Sequence, residues 1–402
     1  MNQFLKKAQE LEPLLIAFRR KIHTHPEIGF ELSHTKSAIE KELDQAGIHW
    51  EEFAGSLIAV IENGPGKTYM IRAEMDALPM DEESGLPFSS KIPGKAHCCG
   101  HDLNASMLLG ALILLKQSCV QGRIIGLFQA AEETGQGAKR LVDEGFLEKY
   151  GIDTGMRMHV NAKAPLGRLG YGKGKMFASN TSFDVVIHGK GSHGARPFEG
   201  KDPVNMAVQL YNLLNSVTAR ETNVFDHNIF SIVSLLTGDS YNVIPDTVTM
   251  KCSLRTYDEK NRIYLEKRYQ EVIAGMAKAF NAQIDYNVIN TIPSLSTTPD
   301  FVDKMLKEAQ DIIPENQIAP APEIKYGSED FAFIASQMKQ VASMSIGAGI
   351  SPEEGYRYGQ HNAKVIFNEK CIALGSALQA WWAFQYCGGE IQWNQEVKKH
   401  HE

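Results

Sequence analysis

The sequence has no long apolar run. Its longest, MLLGALILL at residues 107–115, falls far short of the roughly 20 residues a helix needs to cross a bilayer, so no membrane partner is expected. The first residues, MNQFLKKAQELEPLL, carry charges throughout and lack an apolar core of signal-peptide length. Basic residues are outnumbered: 41 Lys and Arg stand against 48 Asp and Glu, a net charge of −7. Nucleic acid is therefore not an expected partner, because a phosphate-binding face needs clustered Lys and Arg. Six cysteines at irregular spacing in 402 residues make no disulfide framework. Together with the missing signal peptide, this points to a reduced, cytoplasmic compartment. There is no G-x-S-x-G stretch, hence no serine nucleophile elbow. There are also no repeats and no low-complexity tract.

What is present describes an ordinary globular chain, 43% hydrophobic and 22% charged. Its length suggests two domains, or one large domain with an insert. QFLKKAQELEPLLIAFRRKI and HTKSAIEKELDQAGI have helical periodicity, the second closed by Gly47. SLIAVIENG, TYMIRAEMDALPM and GRIIGLFQAAEE read as strands, and NASMLLGALILLKQS as a buried helix. Strands alternating with helices predict an α/β domain whose central sheet is mostly parallel and flanked by helices. After about residue 180 the pattern becomes strand, helix, two strands and a long helix. This predicts a smaller α+β domain over 181–294, inserted into a large discontinuous domain formed by 1–180 and 295–402.

The stretch KAHCCGHDLNAS, residues 95–106, crowds metal-binding groups into one loop. Three other segments offer similar groups: Glu132 and Glu133, His159 in RMHVNAK, and His361 in GQHNAK. Thiolate, imidazole and carboxylate together suit zinc, manganese, cobalt or nickel rather than calcium. Alternate residues on an extended loop point the same way, so Cys99 and His101 could share one centre. Adjacent glutamates point apart, so one could hold metal while the other holds a water. Metal-assisted hydrolysis needs that division between a Lewis acid and a proton acceptor. Taken singly, each group has a plainer explanation: a core cysteine, a surface histidine among 13, a solvated acidic pair.

The blocks FRRKIHTHPEIGFEL, IRAEMDALPM, HCCGHD, LFQAAEETGQGAKRLVDEG, GKGSHGARPFEGKDPV, NVIPDTVTMKCSLRT and GSEDFA follow one another along nearly the whole chain. In this order they resemble the amidohydrolase branch of the aminoacylase and carboxypeptidase-type metallopeptidases, which includes hippurate hydrolases and auxin-conjugate hydrolases. The resemblance implies a centre for two divalent metal ions. Cys99, His101, Glu133, His159 and His361 fall on ligand positions, Glu132 on the general base, and Asp76 on an aspartate that orients the ligands from behind. Glu74 occupies a position where sister carboxypeptidases have a metal-binding histidine and this branch usually has Asp, and it is not counted as a ligand. His97 and Cys98 are read as supports or bystanders, and Asp102 as a residue that starts the following helix.

The smaller domain resembles the family's lid or dimerisation domain, which implies a homodimer. His193 matches a histidine that reaches into the partner's site and polarises the scissile carbonyl. Asn242 and Arg255 match residues that contact substrate, and an Arg fork suits a carboxylate. The chain departs from the branch pattern at Leu103, Asn104 and Ala130 and around His159. Such positions bear on the substrate. The expected function is cleavage of N-acyl amino acids by a metal-activated water with Glu132 as base. The alternatives are a dipeptidase or carboxypeptidase on small peptides, and a catalytically dead ligand-binding relative.

Overall fold

The structure, a computed structural model, describes residues 2–321, 326–353, 357–391 and 393. The chain divides into two compact units, one of residues 1–174, 296–323 and 333–402, the other of 175–295 and 324–332.

The first unit is built on a mixed, mostly parallel sheet. Its strands include β1 (His49–Phe53), β2 (Ser56–Asn63), β3 (Thr68–Glu74), β4 (Gly122–Gln129), β5 (Thr154–Pro165) and β6 (Leu169–Tyr171). The order is β1-β2-β4-β3-β5, then Gln340–Gly349, β6 and Ile318–Pro320. The centre, β4-β3-β5 and Gln340–Gly349, is parallel, and β1 and β2 extend it antiparallel. β3 is buried along nearly its whole length, as expected of a strand covered on both faces.

Helices α1 (Gln3–His23), α2 (Ser33–Gln45) and α3 (His101–Gln117) belong to this unit, with a last helix Cys371–Cys387. α1 runs through Pro13 and stops at His23, just before the THPEIGF stretch. One expected end differs: β4 stops at Gln129, short of the glutamate pair. Every residue of α3 from His101 to Leu115 is buried, because the helix packs against α1, the last helix and β3 together. The result is one continuous apolar core, and the site residues stand where strands and α3 end above it.

In the second unit, four antiparallel strands run in the order Ile229–Leu236, Thr247–Arg255, Asn180–His188, Gln283–Ile292. Asn180–His188 alternates buried and half-buried positions along its length, the pattern of a sheet with one face on a core. Helices Pro203–Glu221 and Glu259–Ala279 cover that face. Each has an aspartate N-cap, Asp202 and Asp258, whose carboxylate accepts main-chain N–H bonds.

Candidate metal centre

Cys99, His101, Glu132, Glu133, His159 and His361 come together in the first unit. Cys99 ends the loop before α3, and His101 is the first residue of that helix. They are not alternate positions on an extended loop, because the chain turns between them. Gly100 lies between them with φ +96°, and a Cβ there would stand 2.4 Å from the Val160 side chain. Only glycine satisfies both the left-handed turn and the close approach, and this turn is what aims the two neighbours at one point.

Glu132 and Glu133 follow Ala131, a non-glycine residue at φ +56°. This sparsely populated conformation re-aims the chain just past the end of β4. Asp76 accepts the N–H of Glu132 and of Glu133, each at 3.1 Å, on its two carboxylate oxygens. The same residue's carbonyl accepts a bond of 2.8 Å from His101 Nδ1. One residue beyond β3 thus fixes three of the others. His159 lies inside β5. His361 adopts φ +63°, and its N–H donates to the Cys98 carbonyl at 3.0 Å.

The donor atoms converge. Cys99 Sγ is 3.6 Å from His159 Nε2. Glu133 Oε1 is 3.7 Å from His101 Nε2 and 3.5 Å from His361 Nε2. Glu132 Oε2 is 3.8 Å from His101 Nε2. Two ligand atoms bound at about 2.0–2.3 Å to one tetrahedral ion stand roughly 3.3–3.7 Å apart, so these spacings match shared coordination better than hydrogen bonding. Among the described residues of this unit, three groups each hold their donor atoms within 4.8 Å: Cys99, His101 and His159; Cys99, Glu133 and His361; His101, Glu132 and Glu133.

Two further observations fit a metal. His101 Nε2 and Glu133 Oε1 are buried without a hydrogen-bond partner, which costs free energy unless something else satisfies them. The ring tautomers are also set. His101 Nδ1 donates to the Asp76 carbonyl and His159 Nδ1 to the Val160 carbonyl, leaving each Nε2 with a lone pair. Burial lowers the His159 pKa to about 4, so its ring is neutral near pH 7, the form that ligates. Burial opposes protonation of His101 too, but the Cys99 sulfur, Asp76 and Glu74 outweigh it and raise that pKa. Burial pushes the Cys99 thiol well up.

Asp102 does not cap α3. The N-cap is Gly100, with no side-chain bond. The Asp102 carboxylate instead accepts from Arg19 Nε and pairs with His23 Nδ1, both at 2.7 Å, and is fully buried. It ties the metal loop to α1. His97 is buried and stacks on His23 at 6.1 Å between centroids. Glu74 is buried among Arg72, Arg157 and Asn104. The sequence reading missed Asn104 and Gln360 as structural partners of the site. Asn104 was noted as a departure from the branch pattern and read as bearing on the substrate; the signal for Gln360 was an amide next to His361.

The substrate residues expected from sequence lie in the second unit. His193 is exposed on a short ribbon in which Ser192–His193 pairs with Val243–Ile244, next to Asn242. Arg255 ends a different strand and donates to the Tyr326 carbonyl at 2.8 Å.

The profile of peptidase family M20/M25/M40 matches residues 70–380. The chain belongs to this family. It is therefore a hydrolase of amide or peptide bonds. Among its relatives, thermostable carboxypeptidase 2 of Saccharolobus solfataricus is 31% identical over 94% of this chain and 96% of its own length. N-acetyl-L-cysteine deacetylase of Bacillus subtilis is 34% identical over 80% of this chain and 78% of its own length. A solved structure from Bacillus subtilis, described as a dinuclear metal binding peptidase of the M20 family, superposes with a TM-score of 0.79 at 27% identity, over 93% of this chain and 98% of that one. No helix among the described residues is long and apolar enough to cross a membrane.

Proposed function

We propose that the chain is a metal-dependent amidohydrolase that cleaves the amide bond of N-acyl amino acids to a carboxylate and an amine. The observation that carries this reading is the convergence of sulfur, imidazole and carboxylate donors, two of them buried without a partner. Cys99, His101, Glu133, His159 and His361 would hold two divalent ions. The mixed donor set suits zinc, manganese, cobalt or nickel. Divalent metal supplies Lewis acidity there, lowering the pKa of water and polarising the amide carbonyl.

Glu132 stands beside this cluster with its main chain anchored on Asp76. Its carboxylate takes the proton of the attacking water and returns it to the leaving nitrogen. Two roles emerge from neighbouring glutamates because the turn at Ala131 aims them differently. Asp76 holds the pair and His101 in place. Asn242 and Arg255 contact the substrate, and the Arg255 guanidinium suits the amino-acid carboxylate.

A second reading, hydrolysis of small peptides, is favoured by the likeness to the Saccharolobus solfataricus carboxypeptidase. A substrate panel separates the two. Acetyl, benzoyl and long-chain acyl amino acids should be cleaved at least tenfold more efficiently, by kcat/KM, than dipeptides with a free amino group, with manganese or zinc added. The opposite ranking would make the chain a peptidase.

A homodimer is part of the reading. Ile229–Leu236 is an edge strand with Val233 and Leu236 exposed at 68% and 52%. An apolar edge of this kind favours pairing with another chain. His193 would act across the dimer, donating a hydrogen bond to the carbonyl oxygen as charge develops there. His193→Ala and Glu132→Ala alone should each be nearly inactive. A co-expressed mixed dimer should regain activity, because one of its sites has Glu132 from one chain and His193 from the other. A verified mixed dimer with no recovery would exclude action across the dimer. All six cysteines are free, in keeping with a cytoplasmic, reducing compartment.

A further inference from the structure

We infer that Asn104 is a positioning residue of the metal centre, reading the buried Glu74 carboxylate with one end of its amide and fixing the peptide that follows His159 with the other. The inference rests on the metal-centre reading above. Asn104 lies in the first turn of α3, three residues after His101, and is fully buried, as is Glu74. Its Nδ2 donates to Glu74 Oε2 at 2.9 Å, and its Oδ1 accepts the Val160 N–H at 3.1 Å.

The orientation of the amide is forced. An ionised carboxylate can only accept and a peptide N–H can only donate, so one flip alone satisfies both. Glu74 is itself immobilised. Its other oxygen pairs with Arg72 and lies 3.5 Å from Arg157 Nη1. Arg72 Nε donates to Gln129 at 2.8 Å and Arg157 Nε to Ser343 at 2.9 Å. With these partners Glu74 serves as an anchor under the site rather than as a ligand.

Val160 is where this anchoring meets the metal ligands. Its N–H is held by Asn104. Its carbonyl accepts His159 Nδ1 at 2.8 Å and Gln360 Nε2 at 2.6 Å. Gln360 immediately precedes His361. The bond that fixes the His159 tautomer thus depends on a carbonyl whose residue is clamped from both sides. An apolar residue would serve the packing of α3 better. A buried amide is tolerated here because both its ends are satisfied. Losing an outer partner of this kind typically weakens metal binding about 10–100-fold.

The test exchanges the two polar groups. Asn104→Asp keeps an acceptor for the Val160 N–H but sets a carboxylate against Glu74. Glu74→Gln combined with Asn104→Asp restores a donor facing an acceptor at unchanged net charge. Metal content, affinity in competition with a chelator, and the d–d absorption of the cobalt-loaded protein are measured for all three proteins, with circular dichroism as a check on folding. The wild type should bind two ions. Asn104→Asp should lose at least tenfold in affinity at one of them and change the cobalt spectrum, and the double variant should return to within about threefold. If Asn104→Asp does not fold, Asn104→Ala, which removes the amide without adding charge, carries the same expected loss.

Wild-type affinity and spectrum in the single variant would overturn the inference and leave the metal centre standing. So would a double variant no better than the single. A wild type that binds no metal would overturn the metal centre, and this inference with it.

Discussion

Glu132→Gln should keep the fold and both metal ions and lower turnover by about 10²–10⁴, the usual cost of losing a general base. The amide preserves the shape of the side chain but cannot accept the proton. The main-chain bond from Glu132 to Asp76 does not involve the side chain, so the neighbouring ligands should stay in place. Glu133→Gln should do the reverse. Glu133 Oε1 lies between His101 and His361, buried and without a hydrogen-bond partner, so this variant should lose metal first and activity as a consequence. Metal analysis and kcat on the same two preparations check both statements. Metal loss in Glu132→Gln, with full metal but no turnover in Glu133→Gln, would exchange the two roles.

Much of the fold was legible because hydrophobic period and length agree with tertiary context. β3 opens with the apolar stretch Tyr69–Ile71 and is buried in the parallel centre of the sheet. Asn180–His188 alternates, and one face covers a core. The candidate ligands were legible only through the order of the motif blocks, since taken singly each thiol, imidazole or acidic pair has a plainer reading. Their backbone was not. The left-handed turn at Gly100, where the chain approaches Val160, and the positive φ at Ala131 and His361 are local features that periodicity does not report.

Asp102 was misread for a related reason. An aspartate at the start of a helix is most simply a cap, but Arg19 and His23 of α1, some 80 positions away, claim its carboxylate. Asn104 was noted only as a departure bearing on the substrate, because an amide within an apolar helix does not announce its partners. Its meaning lies in Glu74 and Val160, which only the fold brings to it. Pro13 inside α1 shows the same override of local preference by packing, since that helix lies against both α3 and the last helix.

Metal removal should have the largest effect of all. The donors sit in loops, at the first residue of α3 and within β5, beside a large apolar core. Stripping metal therefore removes the chemistry without removing the packing that holds the fold. The decisive measurement is metal per chain, by elemental analysis, alongside activity on one N-acyl amino acid, before chelation, after chelation and after adding back zinc or manganese. Two ions per chain, activity lost with them and regained on their return, and an unchanged circular dichroism spectrum is the result the account predicts. Full activity in protein shown to be free of metal would contradict it.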